Sequence, residues 1–200
     1  MKPHKILWLG CCLAVAGCGG DKSPGRNYDK EIDRLMGRMT LAEKIGQMNQ
    51  VSGQSNPTGV LKQYSSLEGR VREGKIGTVL NVTGAATTRE LQRIAVEETR
   101  LGIPLIFALD VIHGYKTISP VPLAESCSWD MSAIEASARM AAVEASAAGL
   151  QWTFAPMVDI ARDPRWGRVM EGAGEDPYLG SHIARARVRG FQGDDLSASN

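Results

Sequence analysis

The stretch Pro104-Leu105-Ile106-Phe107-Ala108-Leu109-Asp110 decides the fold class of this chain. It is nearly all apolar and too short for a helix that must bury itself, so it predicts a strand covered on both faces, as in a parallel sheet. Two further strands are predicted, at residues 76–82 and 152–158. Helical patterns alternate with these three strands, and that alternation is typical of a parallel α/β fold.

Capping residues mark the starts of the predicted helices. The predicted N-caps are Thr40, Thr87, Ser132 and Asp176. Each of the first three is followed three residues later by Glu, which is the pattern of a capping box. The fourth precedes a proline at the first helical position. A further helical piece is predicted near Tyr28, ahead of the first capping box.

Polar residues gather where the predicted strands end. They are Asn81, the run Asp110–His113 and the run Asp159–Arg168. The carboxyl ends of parallel strands meet at one rim, and active sites of (β/α)8 barrels lie there. Three strands cannot close an eight-stranded barrel and would leave an open edge. We therefore expect this chain to be the N-terminal portion of a (β/α)8 barrel, incomplete here.

Composition excludes several function classes. Hydrophobic residues make up 43% and charged residues 22% of the 200 residues, with 23 Lys and Arg against 22 Asp and Glu. These values exclude an intrinsically disordered or collagen-like chain. The near-zero net charge does not favour a nucleic-acid partner. No apolar run reaches the roughly 18–20 residues of a membrane-spanning helix.

The N-terminus has the pattern of a bacterial lipoprotein signal. A short basic start and an apolar stretch precede Val15-Ala16-Gly17-Cys18, which resembles a lipobox. We expect removal of residues 1–17, lipidation of Cys18, a flexible tether over residues 18–27 and a barrel portion over residues 28–200. The protein would then be periplasmic or in the cell envelope, anchored by lipid. An ordinary secretory signal or a short buried apolar segment is the alternative.

Cysteine usage leaves no intrachain disulfide in the processed chain, because Cys11 and Cys12 lie in the removed segment and Cys18 would carry lipid. The remaining thiol, Cys127, has no histidine nearby in sequence. We therefore predict that it is a small buried apolar side chain rather than a nucleophile.

The long run Ala155–Leu179 is crowded with carboxylates and guanidiniums around Trp166. Sugars are bound by such a mixture, because charged groups hydrogen-bond hydroxyls in pairs and an aromatic face covers the apolar side of the ring. An ion-paired loop plugged by Trp166 has the same composition, so the residues alone leave both interpretations open.

Three blocks of sequence resemble the family 3 glycoside hydrolases. They are Met39–Met48, Asp110–Tyr115 and Ala155–Leu179, and they match in order and approximate spacing. The resemblance extends from about Asp29 to Asp194 and implies a barrel of the same type.

The resemblance also assigns candidate site residues. It implies that Asp110 binds two hydroxyls of the sugar and that Arg168 lies in the same subsite, where it orients a neighbouring carboxylate. Glu171 is expected to support Arg168. His113 is expected to brace its loop rather than to act in catalysis.

The same resemblance implies a β-glucosidase that acts with retention on terminal, non-reducing β-D-glucosyl residues, without a metal or organic cofactor. Its nucleophile and its acid/base would lie beyond residue 200, so no catalytic residue is assigned here and residues 18–200 alone should be inactive. A sister specificity, β-xylosidase or exo-glucanase, and a non-catalytic sugar-binding lipoprotein are the alternatives.

Overall fold

The computed structural model describes residues 28–53 and 66–194. The chain divides into two units, one up to Arg38 and one from Met39 onward. The described part of the first unit holds helix α1 (Asp29–Arg38), with acidic residues in its first turn and Arg38 in its last, as the helix dipole favours. The predicted leader, lipidation site and tether over residues 1–27 lie outside the described residues.

The described residues of the second unit form one parallel sheet of four strands in the order β1-β2-β3-β4. The strands are β1 (Gln50–Ser52), β2 (Thr78–Leu80), β3 (Ile106–Leu109) and β4 (Trp152–Thr153). Each strand pairs with the next one along the chain, and helices make the crossovers. This is the succession of strands in a (β/α) barrel, so the predicted fold, an incomplete barrel of parallel α/β type, is confirmed.

Helices follow or precede each strand. They are α2 (Leu41–Gln47), α3 (Leu67–Arg72), α4 (Ala85–Glu97), α5 (Pro122–Ser126), α6 (Met131–Ala147) and α7 (Pro177–Gln192), with a 3-10 helix at Val169–Glu171. Among the described helices, none is long and apolar enough to cross a bilayer.

Alternate residues of the strands face two different environments. Val79 and Phe107 are buried against helical residues such as Ile94 of α4 and form the main core. On the other face, Ile106 and Trp152 are nearly half exposed, whereas Ala108 is buried. The helix-covered face therefore holds the sheet together, while the other face is the one that a barrel would enclose.

The sequence patterns located the long elements but missed the short ones. The sequence predicts three strands, whereas four are found over residues 28–53 and 66–194, because β1 is only three residues long and has no apolar run. Helices α3 and α5 were missed for the same reason. Of the predicted strand at residues 152–158, only the first two residues pair in the sheet.

Two of the four predicted N-caps were wrong. Helix α4 begins at Ala85 after Gly84, so Thr87 lies inside it. Helix α6 is capped by Asp130, whose carboxylate accepts from the backbone N–H groups of Ser132 and Ala133. The capping box at Thr40 and the cap at Asp176 are confirmed.

Candidate functional site

Asp110 comes directly after β3, at the carboxyl edge of the sheet. The backbone N–H of Val111 donates to Oγ1 of Thr153 on β4 at 3.1 Å, so the peptide that carries Asp110 is tied to the neighbouring strand. The Asp110 side chain is exposed, and its carboxylate accepts no hydrogen bond from any residue within 28–53 and 66–194. The strand therefore presents a charged acceptor with its hydrogen-bonding capacity unused.

The loop after Asp110 is closed by His113 and Ser119. The Ser119 N–H donates to the His113 carbonyl at 2.8 Å, and His113 Nδ1 lies 3.3 Å from the Ser119 carbonyl. Gly114 has φ +108°, and a Cβ there would lie 2.0 Å from the Thr117 carbonyl oxygen, so only glycine fits. His113 thus braces its own loop, as predicted.

Helix α6 holds this loop from outside. Glu144 accepts hydrogen bonds from the backbone N–H groups of Lys116 and Thr117, both at 2.8 Å, and from the Thr117 hydroxyl at 2.6 Å. These bonds favour the ionised form and hold the pKa of Glu144 below its ordinary value, the bonds from Thr117 being the main cause. The loop beside Asp110 is therefore fixed to a long helix.

Arg168 and Glu171 form a bidentate pair across the 3-10 helix. Arg168 Nε lies 3.0 Å from both carboxylate oxygens of Glu171, and Nη2 lies 2.6 Å from Oε2. The hydrogen bond raises the pKa of Arg168 and lowers that of Glu171. Arg168 therefore stays charged and has a fixed orientation, as the predicted support by Glu171 requires.

The charges of Asp110 and Arg168 act on one another, so the fold brings the two predicted sugar-binding residues into one neighbourhood. Partial burial is the main cause that raises the pKa of Asp110, and the Glu171 carboxylate adds to it, while Arg168 opposes the shift. The negative charges of Asp110 and Asp159 in turn help to keep Arg168 protonated. The Arg168 guanidinium therefore interacts electrostatically with three carboxylates of this edge and is hydrogen-bonded to one of them, Glu171.

Other charged residues of the long loop serve its structure. Asp163 and Arg165 pair with each other at 2.5 Å, with the Arg165 side chain 88% exposed. Asp176 caps α7 through the N–H of Tyr178. Trp166 is 36% exposed, so it does not plug a core.

The prediction that Cys127 is buried was wrong. It is exposed at the end of α5, and its thiol donates to the Leu123 carbonyl at 3.3 Å. The C-terminal end of a short helix faces solvent here, so the thiol packs against no core.

In the described part of the chain, no group of three His, Cys, Asp or Glu side chains could hold a metal ion.

Several positioning residues were missed by sequence reasoning. Glu144 and Thr153 contact the Asp110 loop from elements 27 or more residues away, and no local pattern reveals such pairs. The sequence shows Asn81 only as a polar residue at a strand end, whereas the structure gives it a left-handed φ of 63°. The neighbours of Asn81 are set by the pairing of β2 with the adjacent strands, which no local sequence motif reveals.

A model of the Glycosyl hydrolase family 3 N terminal domain matches residues 40–200, which is most of the chain. The chain therefore belongs to glycoside hydrolase family 3. The residue blocks that resemble this family lie within the matched range, apart from Met39 at the start of the first, and the resemblance seen in the sequence is confirmed.

Among characterised relatives, the chain is 39% identical over 166 residues to a periplasmic beta-glucosidase of Salmonella typhimurium, covering 82% of the chain and 21% of the relative. It is 33% identical over 198 residues to a beta-xylosidase of Formosa agariphila, covering 94% of the chain and 23% of the relative. A crystal structure of a beta-glucosidase from Listeria innocua in complex with isofagomine superimposes with a TM-score of 0.74 at 42% identity. That match covers 83% of this chain and 23% of the Listeria chain. The chain thus spans between a fifth and a quarter of the length of these relatives.

Proposed function

We propose that this protein is a β-glucosidase, which hydrolyses terminal, non-reducing β-D-glucosyl residues with retention of configuration. One observation carries the proposal: the Asp110 carboxylate, without a hydrogen-bond partner within 28–53 and 66–194, lies in the electrostatic neighbourhood of a bidentately held Arg168. Membership in family 3 and similarity to beta-glucosidases of Salmonella and Listeria support it.

The two residues suit complementary tasks in sugar binding. Asp110, as an ionised carboxylate, accepts hydrogen bonds from two neighbouring hydroxyls of the sugar, each strengthened by its charge. Arg168 donates to a sugar hydroxyl through the part of its guanidinium that Glu171 does not engage. Together they fix the ring in position for the chemical step.

The chemical step itself needs two carboxylates about 5–5.5 Å apart, one as nucleophile and one as acid/base. Glu171 is a poor acid/base, because the Arg168 hydrogen bond lowers its pKa and keeps it ionised. Asp110 is assigned to the hydroxyls. As the resemblance to family 3 implies, we place both catalytic carboxylates beyond residue 200, and we propose no metal or organic cofactor.

The test uses the complete protein encoded by the gene. We expect it to hydrolyse 4-nitrophenyl β-D-glucopyranoside and to release glucose first as the β-anomer, as seen by proton NMR within the first minutes. Asp110→Asn, purified in the same way, controls for contaminating host glucosidase. No turnover, or first release of the α-anomer, would contradict the proposal.

A β-xylosidase is the second candidate, because the Formosa relative has that name and 33% identity. The same assay with the matching aryl β-xyloside decides between them. The proposal predicts a larger kcat/KM for the glucoside. The reverse ratio would assign the protein to the xylosidases.

We further propose that the protein is held at the cell envelope by lipid on Cys18, which lies outside the described residues. The lipobox pattern supports this, and the Salmonella relative is named periplasmic. Mass spectrometry of the mature N-terminus should find a diacylglyceryl group on Cys18, and Cys18→Ser should release the protein from the membrane fraction. Cys12→Ser is the matched control and should stay membrane-bound, while membrane retention of Cys18→Ser would contradict the proposal.

A further inference from the structure

Asn81 has a strained backbone at the carboxyl edge of the sheet. It directly follows β2 and has φ +63°, in the left-handed region that non-glycine residues seldom occupy. Asn tolerates this region better than most residues, but glycine would occupy it without strain. Backbone strain of this kind concentrates at functional sites, which indicates a functional role for the Asn81 side chain.

The left-handed turn re-aims the Asn81 side chain. By strand alternation it should lie on the same face as Val79, which is buried against the helices. Instead, its Nδ2 lies 3.4 Å from Oγ of Ser52 on β1. Ser52 is in register with Leu80, and paired residues share a face, so the Asn81 carboxamide has crossed to the face opposite Val79.

Asp110 is close to Asn81 in the register and lies on the same face. The Asn81 N–H donates to the carbonyl of Ala108 at 3.0 Å, which continues the pairing of β2 with β3 by one residue. Asp110 is two residues beyond Ala108 and so lies on the face that Ala108 shares with Leu80. The carboxamide and the carboxylate therefore stand at the ends of adjacent strands, on the face that a barrel would enclose.

The carboxamide of Asn81 retains hydrogen-bonding capacity. Its Nδ2 engages Ser52, whereas its Oδ1 accepts no hydrogen bond from the residues within 28–53 and 66–194. An amide whose Nδ2 is held and whose Oδ1 is unused suits a polar ligand better than it suits a structural cap.

We propose that Asn81 is a further sugar-binding residue of this edge, whose Oδ1 accepts a hydrogen bond from a hydroxyl of the pyranose held by Asp110. Ser52 positions its amide. This inference rests on the proposed function, because it assigns one more contact to the same sugar.

The first experiment separates the side chain from the backbone. Asn81→Gly relieves the left-handed strain and removes the carboxamide, so in the complete protein we expect an unchanged Tm but a kcat/KM for the aryl β-glucoside about tenfold lower. Asn49→Gly is the matched control, since its amide donates to the Lys75 carbonyl at the amino end of the sheet at 2.9 Å. That variant should lower Tm and leave kcat/KM unchanged.

The second experiment identifies the hydroxyl and is independent of the folded fraction. Aryl β-glucosides that each lack one hydroxyl are compared with the parent substrate in wild type and in Asn81→Gly. For one deoxy substrate, the wild-type penalty should fall about tenfold in the variant. Penalties that are identical in both proteins for every substrate would overturn the assignment while the proposed function stands. A wild-type protein that hydrolyses none of the glucosides would overturn both.

Discussion

The two edges of the sheet use the same residue types for opposite purposes. At the amino edge, Glu43 accepts hydrogen bonds from the backbone and hydroxyl of Thr40 and from Nε and Nη2 of Arg100, the last at 2.5 Å. The Arg100 hydrogen bond is the main cause that lowers the pKa of Glu43 to about 2. At the carboxyl edge, partial burial raises the pKa of Asp110, which has no such partner in the described part of the chain.

The difference between Glu43 and Asp110 shows how a carboxylate that stabilises the fold can be told from one that binds a ligand: the first accepts hydrogen bonds from the protein itself, and the second does not. A carboxylate whose acceptor sites are filled from within has no capacity left for a ligand and contributes to the fold. A carboxylate that accepts no hydrogen bond from within the fold keeps its acceptor sites for the hydroxyls of a ligand.

The largest effect is expected at a buried carboxylate–guanidinium pair, Glu125 of α5 with Arg187 of α7, which lie 2.9 Å apart. The two side chains are only 9% and 4% exposed. Burial lowers the pKa of Arg187, and the negative charge of Glu125 opposes that shift. Arg187→Met leaves Glu125 buried and unpaired and should destabilise by about 3–5 kcal/mol, measured by urea denaturation.

The control is the double variant Glu125→Met with Arg187→Met. Apolar residues of similar volume often replace a buried pair without loss of stability, so the double variant should recover most of what Arg187→Met loses. Equal destabilisation in both would show that volume rather than unpaired charge is the cause. That result would contradict the conclusion that a carboxylate stabilises the fold through the hydrogen bonds it accepts from the protein.

The next effect distinguishes two Arg–carboxylate pairs of the same loop. Arg168→Lys replaces a planar, bidentate donor with a point charge beside Glu171 and should lower kcat/KM about tenfold or more. Arg165→Lys makes the same change in the exposed Asp163 pair and should alter neither kcat/KM nor Tm. Equal activity losses in the two variants would mean that the loop acts as one unit, without a special role for Arg168.

Local signals in the sequence predicted much of the fold and part of the site. Thr40 and Asp176 bond to backbone groups within three residues, so their roles can be read from the sequence. The support of Arg168 by Glu171 is also local, at a spacing of three residues. The pair Glu125–Arg187 joins residues that are far apart in sequence, and only the tertiary fold brings them together.

A smaller effect tests caps that were predicted alike but differ in the structure. Thr40→Ala removes the acceptor for the Glu43 N–H and should lower Tm by about 2–4 °C without changing kcat/KM. Thr87→Ala is the matched control, because Thr87 is exposed inside α4 and caps nothing. It should leave Tm unchanged or slightly raised, as alanine favours helix interiors. A comparable fall in Tm for both variants would mean that Thr87 caps a helix after all.

The two edges should also differ in their response to acid. The folded pKa of Glu43, about 2, is below its ordinary value of 4.5, so its contribution to stability is complete above that value and is lost as the pH falls toward 2. The raised pKa of Asp110 has the opposite sign, so its carboxylate is protonated at a higher pH than an ordinary Asp. Affinity for glucose should therefore weaken on acidification before Tm falls. A coincident loss of affinity and Tm would contradict this order.

The most direct test makes the same carboxylate-to-amide change at both edges of the complete protein and measures kcat/KM and Tm for each. Asp110→Asn loses the charge on the group that we propose accepts two hydrogen bonds from the sugar, so kcat/KM for the aryl β-glucoside should fall about 100-fold or more with Tm unchanged. Glu43→Gln should lower Tm with kcat/KM unchanged. A near-wild-type kcat/KM for Asp110→Asn, or a lowered Tm that accounts for its loss of activity, would contradict the claim that the carboxyl edge binds the sugar.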